Sequence, residues 1–228
     1  MLLSRLFSLN AISRGTSIAL VLASMWILPG CWVYSVEPLY EEGLSRPDPD
    51  LLFDASLVGS WARLGENCPW TLAVSADPLV KTTIDAEKHA RTAEEPRYEL
   101  TMTPGADCKA DEKTTKYQGH LVTLDGHRFL DAFPQDDMIC TLCLPLHSFF
   151  LVSLQNDRLD LVPIDQDWLS QAMKGKRIGL NKLENKSLDG AVVLTGSSRE
   201  LKTFVVKYAE DKSAFKADSD LTLKFKRR

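Results

Sequence analysis

The sequence predicts a mostly β domain, a single antiparallel β-barrel or strongly curved sheet with one or two late α-helices, behind a cleavable leader. Three observations carry this expectation. Apolar and polar residues alternate with period two through much of residues 51–163. Two strand pairs hinge on short turns, Asp125-Gly126 and Asn156-Asp157. Helical periodicity is confined to the last third of the chain.

The leader comes first. Met1 to Gly15 contains Arg5 and Arg14 and no acid, and Ser17 to Leu28 is an almost unbroken apolar run. That run suits a signal-peptide core and falls short of the ~20 residues that span a bilayer. Leu28-Pro29-Gly30-Cys31 follows it. An uncleaved spanning helix through residues 15–36 is the competing reading, and Pro29-Gly30 would break it.

This order of segments resembles the signal peptides of bacterial lipoproteins, with Leu28 to Cys31 as the lipobox. The resemblance implies that residues 1–30 are removed as a lipoprotein signal peptide. Cys31 would carry a diacylglycerol thioether and further palmitate-type acylation. It also implies a place in the cell envelope; Trp32 in place of Asp leans toward the outer membrane, facing the periplasm. Each buried methylene contributes ~0.8 kcal/mol, so two or three acyl chains on one residue would fasten the chain to a membrane.

Residues 31–50 then read as the lipidated cysteine and an acidic, Pro-rich tether. Glu37, Glu41, Glu42, Asp48 and Asp50 face a lone Arg46, and Pro38, Pro47 and Pro49 oppose regular structure. Residues 51–228 form the globular domain.

Within it, Trp70, Leu72 and Val74 alternate with smaller or polar neighbours, as do Tyr98, Leu100 and Met102. Both segments read as half-buried strands. Residues 77–96 between them are charged and read as a mobile excursion with a short helix. The two hairpins follow, and pairing about Asn156-Asp157 puts Phe150, Val152, Leu154, Leu159 and Leu161 on one face. Asp165 or Asp167 caps a short helix that ends at Gly175. Ser197-x-x-Glu200 is a capping box before Leu201, Phe204, Val205 and Tyr208. Strands are expected at Ala191 to Thr195 and Leu221 to Phe225.

Phe53 to Trp61 (FDASLVGSW) resembles the opening of lipocalins and related calycin barrels. That resemblance implies a short 3₁₀ turn, then Gly59-x-Trp61 on the first barrel strand, with Trp61 closing the floor. In the order of its segments the chain also resembles uncharacterised exported lipoproteins of Gram-negative bacteria, a likeness that brings no activity with it.

Candidate chemistry is sparse. Besides Cys31 the cysteines are Cys68, Cys108, Cys140 and Cys143. Beyond an export route they read as one or two disulfides, in any of three pairings. A zinc site is the weaker reading, because only Cys140-x-x-Cys143 has ligand spacing. That pair lies among Pro134 and Pro145, with no helix to lower a thiol pKa. Register about Asp125-Gly126 sets His120 opposite Asp131, on one face with His127. Such a His/His/Asp cluster is outweighed by a partly solvated strand-end histidine, since Val122, Leu124, Phe129 and Phe133 share the face. No motif of a nucleophile, a phosphate loop or a zinc protease is present, and no cofactor is called for.

The chain has 27 basic and 31 acidic residues, a net charge of −4, and no basic stripe for phosphates, which argues against nucleic acid. The C-terminal Lys224, Lys226, Arg227 and Arg228 read as a solubilising strand end. The expected function is a membrane-anchored envelope lipoprotein whose barrel binds a small apolar ligand. The alternative is a structural or assembly factor acting through protein contacts.

Overall fold

Among the described residues, strands and tight turns fill 33–163 and the first α-helix begins at Gln166. The computed structural model describes residues 33–42, 46–65, 68–86, 89–109, 112–135, 146–183 and 191–228, with the backbone alone at 77–86 and 89–95. In chain order the strands are β1 (Val33–Ser35), β2 (Leu51–Leu52), β3 (Gly59–Arg63), β4 (Trp70–Ala86), β5 (His89–Pro104) and β6 (Thr115–Leu124). They continue with β7 (His127–Pro134), β8 (His147–Gln155), β9 (Arg158–Pro163), β10 (Lys182–Leu183), β11 (Val192–Leu194) and β12 (Leu223–Arg227). A 3₁₀ turn covers Ala55–Leu57; α1 is Gln166–Lys174 and α2 is Ser198–Tyr208.

Eight of these strands close on themselves. From β3 to β9 each pairs antiparallel with the next, and β12 inserts between β9 and β3 to seal the ring. The hairpins form as their turn residues require: Asp125, Gly126 and Asn156 hold φ of 48°, 79° and 52°, conformations that Gly, Asp and Asn accept most readily. His120 faces Asp131 and Gln155 faces Arg158 across these turns, the expected register. The expected fold class, a mostly β calycin-like barrel with late helices, is the one observed.

Two apolar cores result. One fills the barrel and includes Trp61, Tyr98, Leu121, Leu130, Val152 and Leu159. The other lies outside the barrel, where Val122, Phe129, Phe149 and Val162 meet α1 and α2 through Leu169, Leu201 and Val205. This explains the adjacent apolar pairs Leu121-Val122, Phe129-Leu130, Phe149-Phe150 and Leu161-Val162 on β6 to β9: there the strands are buried on both faces. Residues 99, 101, 103 and 71, 73, 75 on β5 and β4 face outward, and they are the polar or small half of the alternation.

Both helices start where their caps predict. Asp165 accepts the Trp168 amide at 2.7 Å, and Ser197 and Glu200 exchange bonds as a capping box.

Two expectations fail. Residues 77–96 are not a loop with a helix. Their strands pair from Val80↔Glu95 to Ala86↔His89, beyond where β3 leaves β4 at Val74 and β6 leaves β5 at Tyr98. Between Val80 and Glu95 no further strand pairs with the outer edges of β4 and β5 among the described residues.

The acidic segment before residue 51 is not a free spacer either. β1 pairs with β8 and β11, and Leu39 and Tyr40 are 0% and 3% exposed. Its prolines forbid a helix without preventing docking. Asp48 accepts amides from Glu41 and Asp50 and meets Lys202 of α2 at 2.6 Å, while Lys202 reaches Asp50 at 2.6 Å. Burial works against the Asp48 carboxylate, but these bonds and the Lys202 charge outweigh it and lower its pKa.

Candidate functional site

Among the described residues the two ends of the barrel differ: one is closed by side chains and the other holds a cavity. At the closed end Asp54 caps the 3₁₀ turn, and Trp61, wholly buried, donates its indole N–H to Leu57 O at 2.9 Å. Arg227, from the last strand, lies 4.3 Å over the Trp61 ring and donates to Val58 O at 3.0 Å and to Ser56 O. Gly59 makes room for that guanidinium: a Cβ there would sit 2.8 Å from Arg227 Nη1, and its φ of 146° suits glycine.

Tyr98 reaches up from β5 to accept the Asp54 amide at 2.6 Å, and Arg128 meets Asp54 at 2.8 Å. Desolvation opposes the Asp54 carboxylate, yet the Ser56 and Arg128 bonds prevail and its pKa falls. Gly59 and Trp61 thus lie on β3, and neither is among the residues that line the cavity at the other end.

At the other end the first residues of β4, β6, β8 and β12 meet the last residues of β3, β5, β7 and β9. Here the interior is hollow. A cavity of about 360 Å³ runs inward, walled by Leu72, Leu100, Leu130, Phe150, Leu161 and Phe225 among others. Its polar lining residues, Arg63, Thr115, Tyr117 and Ser148, all stand at or near strand ends on the mouth side. The lining thus grades from apolar depth to polar rim. A cavity of this size and lining can desolvate a small apolar molecule and leave one polar end wet.

The mouth is stapled. Cys68 and Cys108 form a disulfide with Cα atoms 4.8 Å apart, joining the β3–β4 loop to the β5–β6 loop. Of the three pairings left open, Cys68 with Cys108 is the one formed, because β4 and β5 bring their flanks together at Trp70↔Pro104. Glu112 lies 3.2 Å from Cys68 Sγ. Cys68, Cys108 and Glu112 gather within 4.8 Å, but two sulfurs bonded to each other offer no thiolate to a metal. Cys31, Cys140 and Cys143 lie outside the described residues.

The expectation of a partly solvated strand-end histidine fails: His120 is buried, in a cluster composed differently from the His120, His127 and Asp131 set. His120 and Asp131 are cross-strand partners, and the second imidazole is that of His147, whose Nδ1 is 2.7 Å from Asp131 Oδ1. His127 instead approaches Glu210 at 3.9 Å. The Leu39 amide donates to Asp131 Oδ2 at 2.7 Å, and the Tyr40 ring packs 4.3 Å from His120. All three side chains are shut away, at 3%, 1% and 7% exposure for His120, Asp131 and His147. The cluster lies outside the barrel wall and fastens the N-terminal segment to it. Burial, with Arg97 and His147 nearby and only Asp131 opposing, holds His120 neutral with a pKa of about 4.

Alternation along the strands could have pointed to the cavity walls, since every one occupies an inward position. Which interior positions leave space was not readable, because volume depends on all eight strands at once. Among the described residues no helix is long and apolar enough to cross a membrane. No protein-family model matches this chain, and comparison with curated proteins and with solved structures finds no match.

Proposed function

We propose that this chain is a membrane-anchored lipoprotein of the cell envelope whose barrel holds a small apolar ligand, entered from the stapled mouth. The observation that carries the ligand is the hollow of about 360 Å³ opening beside Arg63, Tyr117 and Ser148. A barrel of eight strands can be packed solid with side chains, so retained space at one end, opposite a floor sealed by Trp61 and Arg227, favours an occupant.

The anchor rests on Leu28-Pro29-Gly30-Cys31 and the leader before it. Its place is the outer membrane facing the periplasm.

Displacement of an apolar fluorescent probe, N-phenyl-1-naphthylamine, tests the ligand site. Wild-type protein is expected to bind the probe in competition with small apolar molecules. Ala132→Phe, which places a ring in the cavity wall, is expected to abolish binding while the barrel stays folded. Equal binding by both proteins would overturn the site and favour a role through protein contacts. For the anchor, labelled palmitate is expected in the wild type and not in Cys31→Ser; incorporation into both would overturn it.

A further inference from the structure

Residues 174–182 read Lys-Gly-Lys-Arg-Ile-Gly-Leu-Asn-Lys, a run with four cations and no acid in a chain of net charge −4. The run leaves α1 through its cap at Gly175, turns at Lys176 with φ 54°, and enters β10 at Lys182. Its two apolar residues face inward: Ile178 is 8% exposed in the outer core and Leu180 packs against that core.

Between this run and α2 lies a groove of about 400 Å³. The exposed Arg177, Arg199 and Lys207 edge it, over buried Ile178 and Phe204. Glu200 is the acid in the lining, and its carboxylate is held at 2.8 Å by both the amide and the hydroxyl of Ser197. Cations above an apolar floor suit an anionic amphiphile.

The location narrows the partner. β10, β11 and β1 are neighbours in the sheet, with Leu183, Val193 and Tyr34 in one row. Two strand spacings amount to about 10 Å. Cys31 precedes Tyr34 by three residues, at most about 10 Å of chain. The end of the basic run, one residue before Leu183, is therefore within about 25 Å of the proposed acylation site, and Leu183 beside it is 39% exposed.

We propose that residues 174–182, with Arg199 and Lys207, are a lipid-docking face that rests on the anionic headgroups of the membrane carrying the anchor. The inference builds on the anchor reading above. Each basic side chain near an anionic leaflet strengthens association about fivefold, and the effect fades within about 8 Å at physiological salt. Docking would fix the barrel's orientation, which acyl chains alone leave free.

Hydrogen exchange of the acylated protein in vesicles tests this directly. Peptides covering 174–182 and 199–207 are expected to exchange at least about fivefold more slowly when phosphatidylglycerol is added to phosphatidylcholine vesicles. High salt is expected to reverse the slowing. Arg177→Glu combined with Lys207→Glu is expected to remove it, with exchange in β6 and β7 unchanged.

Equal exchange in the two vesicles would overturn the proposal. So would equal slowing by soluble polyglutamate on phosphatidylcholine vesicles, which would assign the face to an acidic protein. Failure of the anchor reading shows separately, as protein that does not float with phosphatidylcholine vesicles, and leaves the response to phosphatidylglycerol measurable.

Discussion

The guanidinium of Arg227 lies 4.3 Å over the ring of Trp61, so the last strand of the chain locks the first strand of the barrel at its sealed end. The same side chain ties down the carbonyls of Val58 and Ser56. One residue thus completes ring closure, floor and 3₁₀ turn together.

Arg227→Ala removes the cation–π contact and two charge-assisted bonds, an expected loss of about 2 kcal/mol in urea unfolding. Arg227→Lys is expected to fall between, since an ammonium keeps the charge without the two-pronged geometry. Gly59→Ala is expected to destabilise as well, its Cβ meeting Arg227 Nη1 at 2.8 Å with φ at 146°. If all three variants unfold with the wild type, the floor does not depend on this lock.

The clamp at Asp131 makes a second prediction. Asp131→Ala strips partners from the buried Leu39 amide and from His147, at about 1–3 kcal/mol each. Leu39→Ala should cost about 2–5 kcal/mol by leaving a hole under the segment. Limited proteolysis near residues 36–42 is expected to quicken in both. Unchanged proteolysis would mean the segment's attachment lies elsewhere.

His120 sets a pH dependence. Its pKa is about 4 in the fold against 6.5 ordinarily, so the unfolded chain binds the extra proton first. The stabilisation from neutral burial is complete above about pH 6.5 and is lost as pH falls toward 4, about 3 kcal/mol in all. His120→Phe is expected to flatten the unfolding free energy across that window. A slope retained in the variant would assign the titration to another group.

Reduction of Cys68–Cys108, which closes a separation of 40 residues, is expected to cost up to about 4 kcal/mol. Because the bond spans two mouth loops, apolar probe release should also speed up in Cys68→Ala/Cys108→Ala. Identical release rates would separate the staple from the mouth's behaviour.

The parts of this fold legible in sequence are those decided locally. Asp125-Gly126 and Asn156-Asp157 reveal their hairpins because few residues tolerate positive φ, and Ser197 with Glu200 marks α2 through its capping bonds. What long-range packing decides was hidden. Nothing near Leu39 or Asp48 says that Asp131 and Lys202 await them from distant elements, so an acidic, proline-rich stretch reads as a spacer. His147 replaces His127 beside Asp131 because β8 comes alongside β7, a pairing outside the first hairpin. Only the C-terminal cations stand out in the sequence, because the meaning of the basic run at 174–182 depends on β10 lying two strands from β1.

Methyl resonances of the methionines give the most direct test of a ligand within the barrel. Met102 lines the cavity, whereas Met173, on α1, packs against the outer core. On titration with a small apolar ligand, the Met102 methyl is expected to shift and saturate while Met173 stays still. A shift at Met173 with Met102 unmoved would contradict occupancy of the barrel.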